Sequence, residues 1–465
     1  MEDLGQKKAS WTGSLGFILA AAGSAVGLGN IWRFPYLAAQ DGGGLFVIIY
    51  LLLVFTFGSV LLTTDIVIGR KTGKHALQAY GAVHPKWKFL GILSFIVPSI
   101  ILPYYILIGG WVTKYMGTYV IGQGAAAATD GYFTSFITDP ALPVIFMIVY
   151  LLITAVVIYF GVEKGIEKFS KYIMPALFIL VFGLAIYSLT IKGEHGTGID
   201  GLKVYLIPNF EGVTFSKFLS TVMDALSQIF FSLSVAMGIM ISYGSYVKKE
   251  TNLSKSIAQI EIFDTLVAFL AGLMIIPAIY AISGAEGMTA GPGLIFVALP
   301  KIFSTMGVAG QVVGALFFIM VEFAALTSSV SIMEPIVGSC MEWFHMSRKK
   351  VVVIVTAIAG IIGTIICFGY SFFYFEVTLP NGSTGQLLDI FDYVSNNVLM
   401  PIVAFLTCIL IGWVVEPKWA IEELEYGGLV YRKKHMYAVM IKYIIPVLLL
   451  LLFLNATGLF SAIGS

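Results

Sequence analysis

Apolar residues in this chain fall in long unbroken runs, at 14–38, 43–68, 89–121, 141–160, 167–191, 217–246, 258–283, 308–343, 351–373, 387–415 and 437–461. Most approach or exceed the roughly 20 residues an α-helix needs to cross a bilayer, whereas a barrel strand takes about 10 with period-2 alternation. The pattern predicts an all-α polytopic membrane protein of eleven transmembrane helices, the longer ones tilted, kinked or extended beyond the hydrocarbon. The stretch 286–306 is apolar but short and rich in Gly and Pro, so it reads as a helical or re-entrant external loop.

Lys and Arg set the orientation. With the N-terminus cytoplasmic, the outer loops hold only Lys192, Lys203, Lys217 and Lys301, and Arg33, Lys114 and Lys442 fall within spans. The rest of the 27 Lys and Arg lie on inner loops. This is a strong positive-inside bias, and eleven spans place the C-terminus outside a plasma (inner) membrane. The chain reads as one membrane domain over 1–465, in contact with the lipid bilayer.

Composition narrows the function classes. Apolar residues make up 58% and charged residues 11%, with a mean hydropathy of +0.93; a soluble globular chain is about a quarter charged. That excludes a soluble enzyme, a disordered chain and a coiled coil. A net charge of +1 implies no nucleic acid partner. Cys340, Cys367 and Cys408 lie in apolar runs without metal-ligand spacing. Met1 to Ser10 precede the first run without an A-x-A-like site after a short apolar stretch, so no signal peptide is expected. All five histidines sit in loops or at span ends, no H-E-x-x-H or G-x-S-x-G occurs, and Asp389-x-x-Asp392 is too little for a Mg2+-diphosphate site. An intramembrane enzyme is therefore disfavoured. A channel would need a ring of subunits or a continuous polar pore.

Two runs are interrupted in similar ways: Ala22-Gly-Ser-Ala-Val-Gly-Leu-Gly-Asn30 in the first, Ser232-Leu-Ser-Val-Ala-Met-Gly238 in the sixth. They lead two consecutive sets of five spans, and an odd repeat length inverts the second half. Paired broken spans in inverted halves point to a midplane binding site. Glycine destabilises a helix interior by about 1 kcal/mol relative to Ala, and unwound membrane backbone must find partners in protein or water. Exposed carbonyls suit a hard cation, and a half-helix N-terminus suits a carboxylate. Gly23 and Gly27 fit close helix packing equally well; Asn30 and Arg33 in the same span favour function. Thr327 and Ser328 in the eighth run offer two hydroxyls, which back-bonding to preceding carbonyls also explains. Asp264 is an acid within an apolar run, a functional candidate on that ground.

Gly27-Leu-Gly-Asn-Ile-Trp-Arg-Phe-Pro35, Gly42-Gly-Gly-Leu-Phe46, Gln228-Ile-Phe-Phe-Ser-Leu-Ser234, Ser242-Tyr-Gly-Ser-Tyr246 and Leu326-Thr-Ser-Ser329 occur in order along the chain. Together they resemble the signature of the neurotransmitter:sodium symporter family, in its bacterial eleven-span branch. The resemblance implies the LeuT fold, a five-plus-five inverted repeat with helices 1 and 6 broken, itself the best-known case of a discontinuous-helix transporter. The repeats would cover about 11–191 and 217–415, with an additional helix at about 437–461. It implies a symporter of an amino acid with Na+ at two sites. The first site would use Ala25, Asn30, Ser232 and Asp264; the second Gly23, Val26, Ala324, Thr327 and Ser328. Five or six oxygens and no soft ligand match a hard cation. The substrate carboxylate would meet the amides of Leu28 and Gly29 and the Tyr105 hydroxyl. Its amine would meet Ala25, Phe231, Ser232 and Ser234. Ile101, Met237, Ser328 and Ile332 would complete the pocket. Arg33 with Asp392, lidded by Phe231, would form the outer gate. Lys8 and Trp11 with Tyr246 and Glu342 would form the inner one. A non-transporting amino-acid sensor of the same fold is the alternative.

Position 27 bears on the substrate class. Monoamine-carrying relatives resembling this chain have Asp there; Gly27 implies a substrate that brings its own carboxylate, a hydrophobic L-amino acid given the apolar wall. Asp264 stands where chloride-requiring relatives usually have Asn, with Tyr50, Gln228 and Ser232 matching their chloride surroundings and Ala268 one turn on. This implies chloride-independent transport, with proton counter-transport as a further expectation. Ala236 stands where the second broken helix often has Gly, and Lys8 where Arg is common. Glu322 lies about 120° round its helix from Ser328, off the sodium face, with no role implied.

Overall fold

The computed structural model describes residues 10–210, 213–284, 287 and 293–458. The first run forms α1 (Ser14–Ala25) and α2 (Gly29–Gln40), bent by 55° across the break. Then follow α3 (Gly44–Thr72), α4 (Pro85–Val120), α5 (Leu142–Tyr159) and α6 (Val162–Leu189). The sixth run gives α7 (Phe215–Ser232) and α8 (Ile239–Ser245), and the seventh α9 (Leu253–Ser283). A short apolar helix α10 (Leu294–Thr305) precedes α11 (Gly307–Phe344), α12 (Arg348–Phe368), α13 (Leu387–Val414) and α14 (Lys434–Ala456). Two antiparallel two-residue hairpins, Lys192–Gly193 with Gly196–Thr197 and Val377–Thr378 with Thr384–Gly385, are the only paired strands among the described residues.

Nine helices among the described residues are long and apolar enough to cross a bilayer, ten if α1 and α2 count as one bent span. The sixth expected span, 217–246, is the one not among them. Non-helical backbone from Leu233 to Gly238 divides it, and neither half is long and apolar enough alone. The expected external loop is helical over α10, which is too short to span.

Outward faces carry Ile148, Leu152 and Val156 on α5 and Ile354, Ile358 and Ile361 on α12, all exposed. Among apolar tails, burial of such groups gives helices no net attraction, so close backbone packing must hold the bundle. The α3–α8 contact shows this: a Cβ at Gly69 would overlap the Ile241 carbonyl, and one at Gly244 the Ile66 carbonyl. That contact fixes the half-helix α8, one wall of the central site. The long α11 runs past α1, α4, α5, α6 and α12, and Asn30, Gln228, Ser232 and Asp264 are wholly buried at the centre.

Candidate functional site

The two breaks face one another. After α1, Val26 takes an extended conformation (ψ 96°) and the chain re-enters helix as a wide π-turn from Gly29 to Arg33. Such turns recur at functional sites. In the second break Ser234 (φ 52°), Ala236 (φ 60°) and Gly238 (φ 70°) all lie in the left-handed region. For residues with a Cβ this conformation costs roughly 1–2 kcal/mol each. Something must hold it, and Asp65 of α3 does: its Oδ2 accepts the Ala236 N–H at 2.9 Å. Ser234 Oγ donates to the Ser24 carbonyl at 3.0 Å, tying the breaks together. Ala236 therefore supports an unwound segment where Gly would be expected, held there by a buried acid behind it.

Between the breaks lies a narrow cavity, with about 20 Å3 open to the centre of a water-sized sphere. Ala25, Gly27, Gly29, Ile101, Tyr105, Phe231, Ser234, Met237, Ser328 and Ile332 line it, with Ser24 and Asn30. Leu28 and Ser232 are buried beside it without lining it. A Cβ on Gly27 would stand 2.6 Å from Ser328 Oγ and 3.4 Å from the Tyr105 hydroxyl; one on Gly29 would strike the Phe231 ring. The Tyr105 hydroxyl faces Ser328 and the Leu28 backbone without a well-formed hydrogen bond to either.

One polar cluster backs the cavity. Asp264 Oδ1 accepts from Asn30 Nδ2 at 2.8 Å, and Ser232 Oγ donates toward Oδ1 and Oδ2 at 3.0 and 2.8 Å. The Tyr50 hydroxyl reaches Ser232 Oγ at 3.5 Å, and Gln228 Nε2 donates to the Gly29 carbonyl at 3.2 Å. Asn30, Ser232 and Asp264, the side chains expected at the first sodium site, thus touch one another. Around the second, Ser328 Oγ lies 3.5 Å from the Val26 carbonyl, while the Thr327 hydroxyl bonds back to its own helix, at 3.1 Å from the Phe323 carbonyl and 3.0 Å from the Ala324 carbonyl. Gly23 faces Thr327, its Cβ position 3.2 Å from Thr327 Cβ. The polar atoms among the expected ligands are all oxygens. Among the described residues no group of three His, Cys, Asp or Glu gathers to hold a softer metal.

The gates differ from expectation. Arg33 does not pair with Asp392: its Nη2 donates to Ser227 Oγ at 2.7 Å, and Asp392 Oδ1 accepts from Asn396 at 2.6 Å. Each group has a neutral hydrogen-bond partner instead. At the expected inner gate Lys8 lies outside the described residues. Trp11 is buried, with Nε1 on the Tyr243 carbonyl at 3.0 Å and its ring edge-on to Tyr243 and Tyr246. Glu342 is not part of that contact; its Oε2 accepts the His75 N–H at 3.1 Å. The acid facing Tyr246 is Glu334, two turns earlier on α11. It takes the Tyr246 hydroxyl at 2.5 Å and both Arg348 amino groups at 2.7 Å. Sequence reading missed Asp65 and Glu334, although each is an acid within an apolar run, the signal that marked Asp264. Glu322, for which the sequence implied no role, accepts from Thr113 Oγ1 at 3.1 Å.

The sequence matches the Sodium:neurotransmitter symporter family over residues 8–123 and 133–463. It is 33% identical to the uncharacterised sodium-dependent transporter YhdH of Bacillus subtilis, covering 98% of this chain and 99% of that one. It is 25% identical to the sodium- and chloride-dependent taurine transporter of Rattus norvegicus, over 88% of this chain and 71% of the other. The fold is similar to that of MhsT, solved in complex with L-phenylalanine, with TM-score 0.84, 34% identity, and coverage of 96% and 99%.

Proposed function

The chain belongs to the sodium:neurotransmitter symporter family, and from that premise we propose that it imports a hydrophobic L-amino acid by alternating access, driven by Na+ at two sites and independent of chloride. It is a multi-pass, sodium-dependent membrane transporter and not an enzyme. The observation that carries the substrate reading is Gly27, whose missing side chain would project between Ser328 and Tyr105. Among the described residues no acid lines the cavity to receive an amine that lacks a carboxylate of its own. A zwitterion supplies one, for the amides of Leu28 and Gly29 and the Tyr105 hydroxyl. Its amine faces the Ala25, Phe231 and Ser232 carbonyls and Ser234. Ile101, Met237 and Ile332 make the side-chain wall apolar, and Met237 makes it adaptable. The phenylalanine bound by MhsT fits the same class.

The chloride reading rests on Asp264. In an anion-dependent relative a bound chloride would balance the cation in this low-dielectric space; here the Asp264 carboxylate stands among Asn30, Ser232, Tyr50 and Gln228 and supplies the charge itself. When sodium leaves, the hydrogen-bond partners of Asp264 are neutral groups only, and a proton taken up there would be carried out on the return step. We assign the N-terminus to the cytoplasm and the C-terminus to the outside from the charge bias, and two inverted repeats, 11–191 and 217–415, from the paired breaks. Uptake in proteoliposomes with gluconate in place of chloride tests the reading. Wild type keeps its rate, and Asp264→Asn loses most activity in gluconate and regains some in chloride. Wild-type uptake that stops without chloride overturns it.

A further inference from the structure

Glu322 is a buried acid that neither the sodium sites nor the gates use. It lies near the middle of α11, 3% exposed. Among the described residues its one hydrogen-bond partner is the Thr113 hydroxyl of α4, 3.1 Å from Oε1 and 3.2 Å from Oε2, and no charged group faces it. Lys114, next to Thr113, is turned elsewhere: its Nζ lies 3.3 Å from Thr118 Oγ1 and 5.6 Å from the Tyr132 ring centre. On the α5 side stands Tyr150. Its ring fills the place where a Cβ on Gly109 would be, and its hydroxyl donates to Ser329 Oγ at 3.2 Å.

Counting hydrogens separates two arrangements of this contact. Thr113 Oγ1 also lies 3.0 Å from the Gly109 carbonyl, one turn back on α4. With Glu322 ionised the contact holds one hydrogen. Thr113 donates it to the carboxylate, and a full charge rests in the membrane interior on one neutral bond. With Glu322 neutral it holds two. The carboxyl O–H donates to Thr113 Oγ1, and the Thr113 O–H donates to the Gly109 carbonyl. A carboxylate taken out of water without a cation or a full set of donors neutralises instead. The second arrangement fits the same heavy-atom distances and leaves no hydrogen unused.

The contact ties together two helices that wall the cavity. Tyr105 and Ile101 come from α4, and Ser328 and Ile332 from α11. Thr113 stands about 12 Å beyond Tyr105 along α4, and Glu322 about 9 Å before Ser328 along α11, at 1.5 Å per residue. The gap between Tyr105 and Ser328 is tight: a Cβ on Gly27 would stand 2.6 Å from Ser328 Oγ and 3.4 Å from the Tyr105 hydroxyl. A small slip of α4 against α11 therefore changes the gap. We propose that Glu322 is a proton-binding site whose neutral acid clamps α4 to α11 and positions Tyr105 against Ser328. Glu322 lines no part of the cavity, so it acts through these two residues. The role rests on the substrate reading above, in which the Tyr105 hydroxyl meets the substrate carboxylate.

The test reads the proton first. Infrared spectra of the purified full-length protein at neutral pH, without substrate, should show the carbonyl stretch of a protonated carboxylic acid that disappears in Glu322→Gln. The other buried acids are common to both spectra and cancel in the difference. Binding of tritiated phenylalanine at saturating Na+ reads the clamp. Glu322→Gln keeps a donor and an acceptor and should bind within about twofold of wild type, whereas Glu322→Leu has neither and should bind about tenfold more weakly, the scale of one buried hydrogen bond. Thr113→Val should weaken binding equally, and it replaces Glu322→Leu if that variant does not fold. The double variant should be no weaker than either single one, because both remove the same contact. A band that is absent from wild type, or that survives in Glu322→Gln, overturns the proposal. Loss of phenylalanine binding in Glu322→Gln overturns it too, since a charge would then be required, as does wild-type affinity in both Glu322→Leu and Thr113→Val. If wild type binds no phenylalanine, the substrate reading fails, and the infrared band, which involves no substrate, decides the proton site by itself.

Discussion

Removing the Asp65 side chain tests how the second helix break is held. Asp65 Oδ2 accepts the Ala236 N–H at 2.9 Å, and Ala236 has φ 60°. A buried N–H left without its acceptor costs about 1–3 kcal/mol, and the left-handed Ala about 1–2 kcal/mol more than an ordinary conformation. In Asp65→Ala the first penalty appears while the second stays, so the break relaxes toward other conformations. Every 1.4 kcal/mol reduces the competent fraction about tenfold, and apparent affinity falls with it. Asp65→Ala should therefore weaken binding of the proposed amino-acid substrate about tenfold or more, measured by scintillation proximity with phenylalanine as the probe at saturating Na+. Adding Ala236→Gly removes the steric part, because Gly takes positive φ freely, and should recover about three- to tenfold. Ala236→Gly alone should bind at least as tightly as wild type. Wild-type affinity in Asp65→Ala, or no recovery on adding Ala236→Gly, would refute the reasoning.

Other outcomes follow from the same geometry. Gly27→Asp places a carboxylate between Ser328 and Tyr105, against the proposed position of the substrate carboxylate. Two unit charges about 4 Å apart at an effective dielectric of 20 repel by about 4 kcal/mol, so amino-acid binding should be lost, and retained affinity would put the substrate carboxylate elsewhere. Replacing Thr327 and Ser328 together by Ala removes two oxygens of the proposed second sodium site with little change in volume. The sodium concentration needed for half-maximal uptake should rise steeply while the purified protein stays monodisperse; an unchanged sodium dependence would sink that assignment.

Much of this was legible in the chain because it depends on local features. Run length fixes spans, and the glycines at 23, 27 and 29 mark the first break whatever packs against it. Asp264 is visible because an acid within an apolar run is costly wherever it sits. What the chain did not show are pairings between distant helices, which depend on rotation about each axis. Asp65 and Glu334 carry the same local signal as Asp264, yet their partners, the Ala236 N–H and Arg348 with Tyr246, are set by how α3 meets α8 and how α11 meets α12. Arg33 shows the converse: its charge suggested Asp392, but Ser227 on α7 lies nearer, and a short neutral contact displaced a longer ionic one. The second break was legible as well: Ser232 to Gly238 marked it within the sixth run, and the helix divides there.

The central claim is that sodium and an amino acid occupy one joined site, Na+ meeting Asn30, Ser232 and Asp264 beside the substrate carboxylate. Equilibrium binding of tritiated L-phenylalanine to the purified full-length protein, with Na+ replaced stepwise by K+ at constant ionic strength, tests it most directly. The account predicts saturable binding that rises with Na+ and vanishes in K+, with unlabelled hydrophobic amino acids competing and amines without a carboxylate failing to compete. Binding that is the same in K+ as in Na+, or that phenethylamine displaces as well as phenylalanine does, would contradict it.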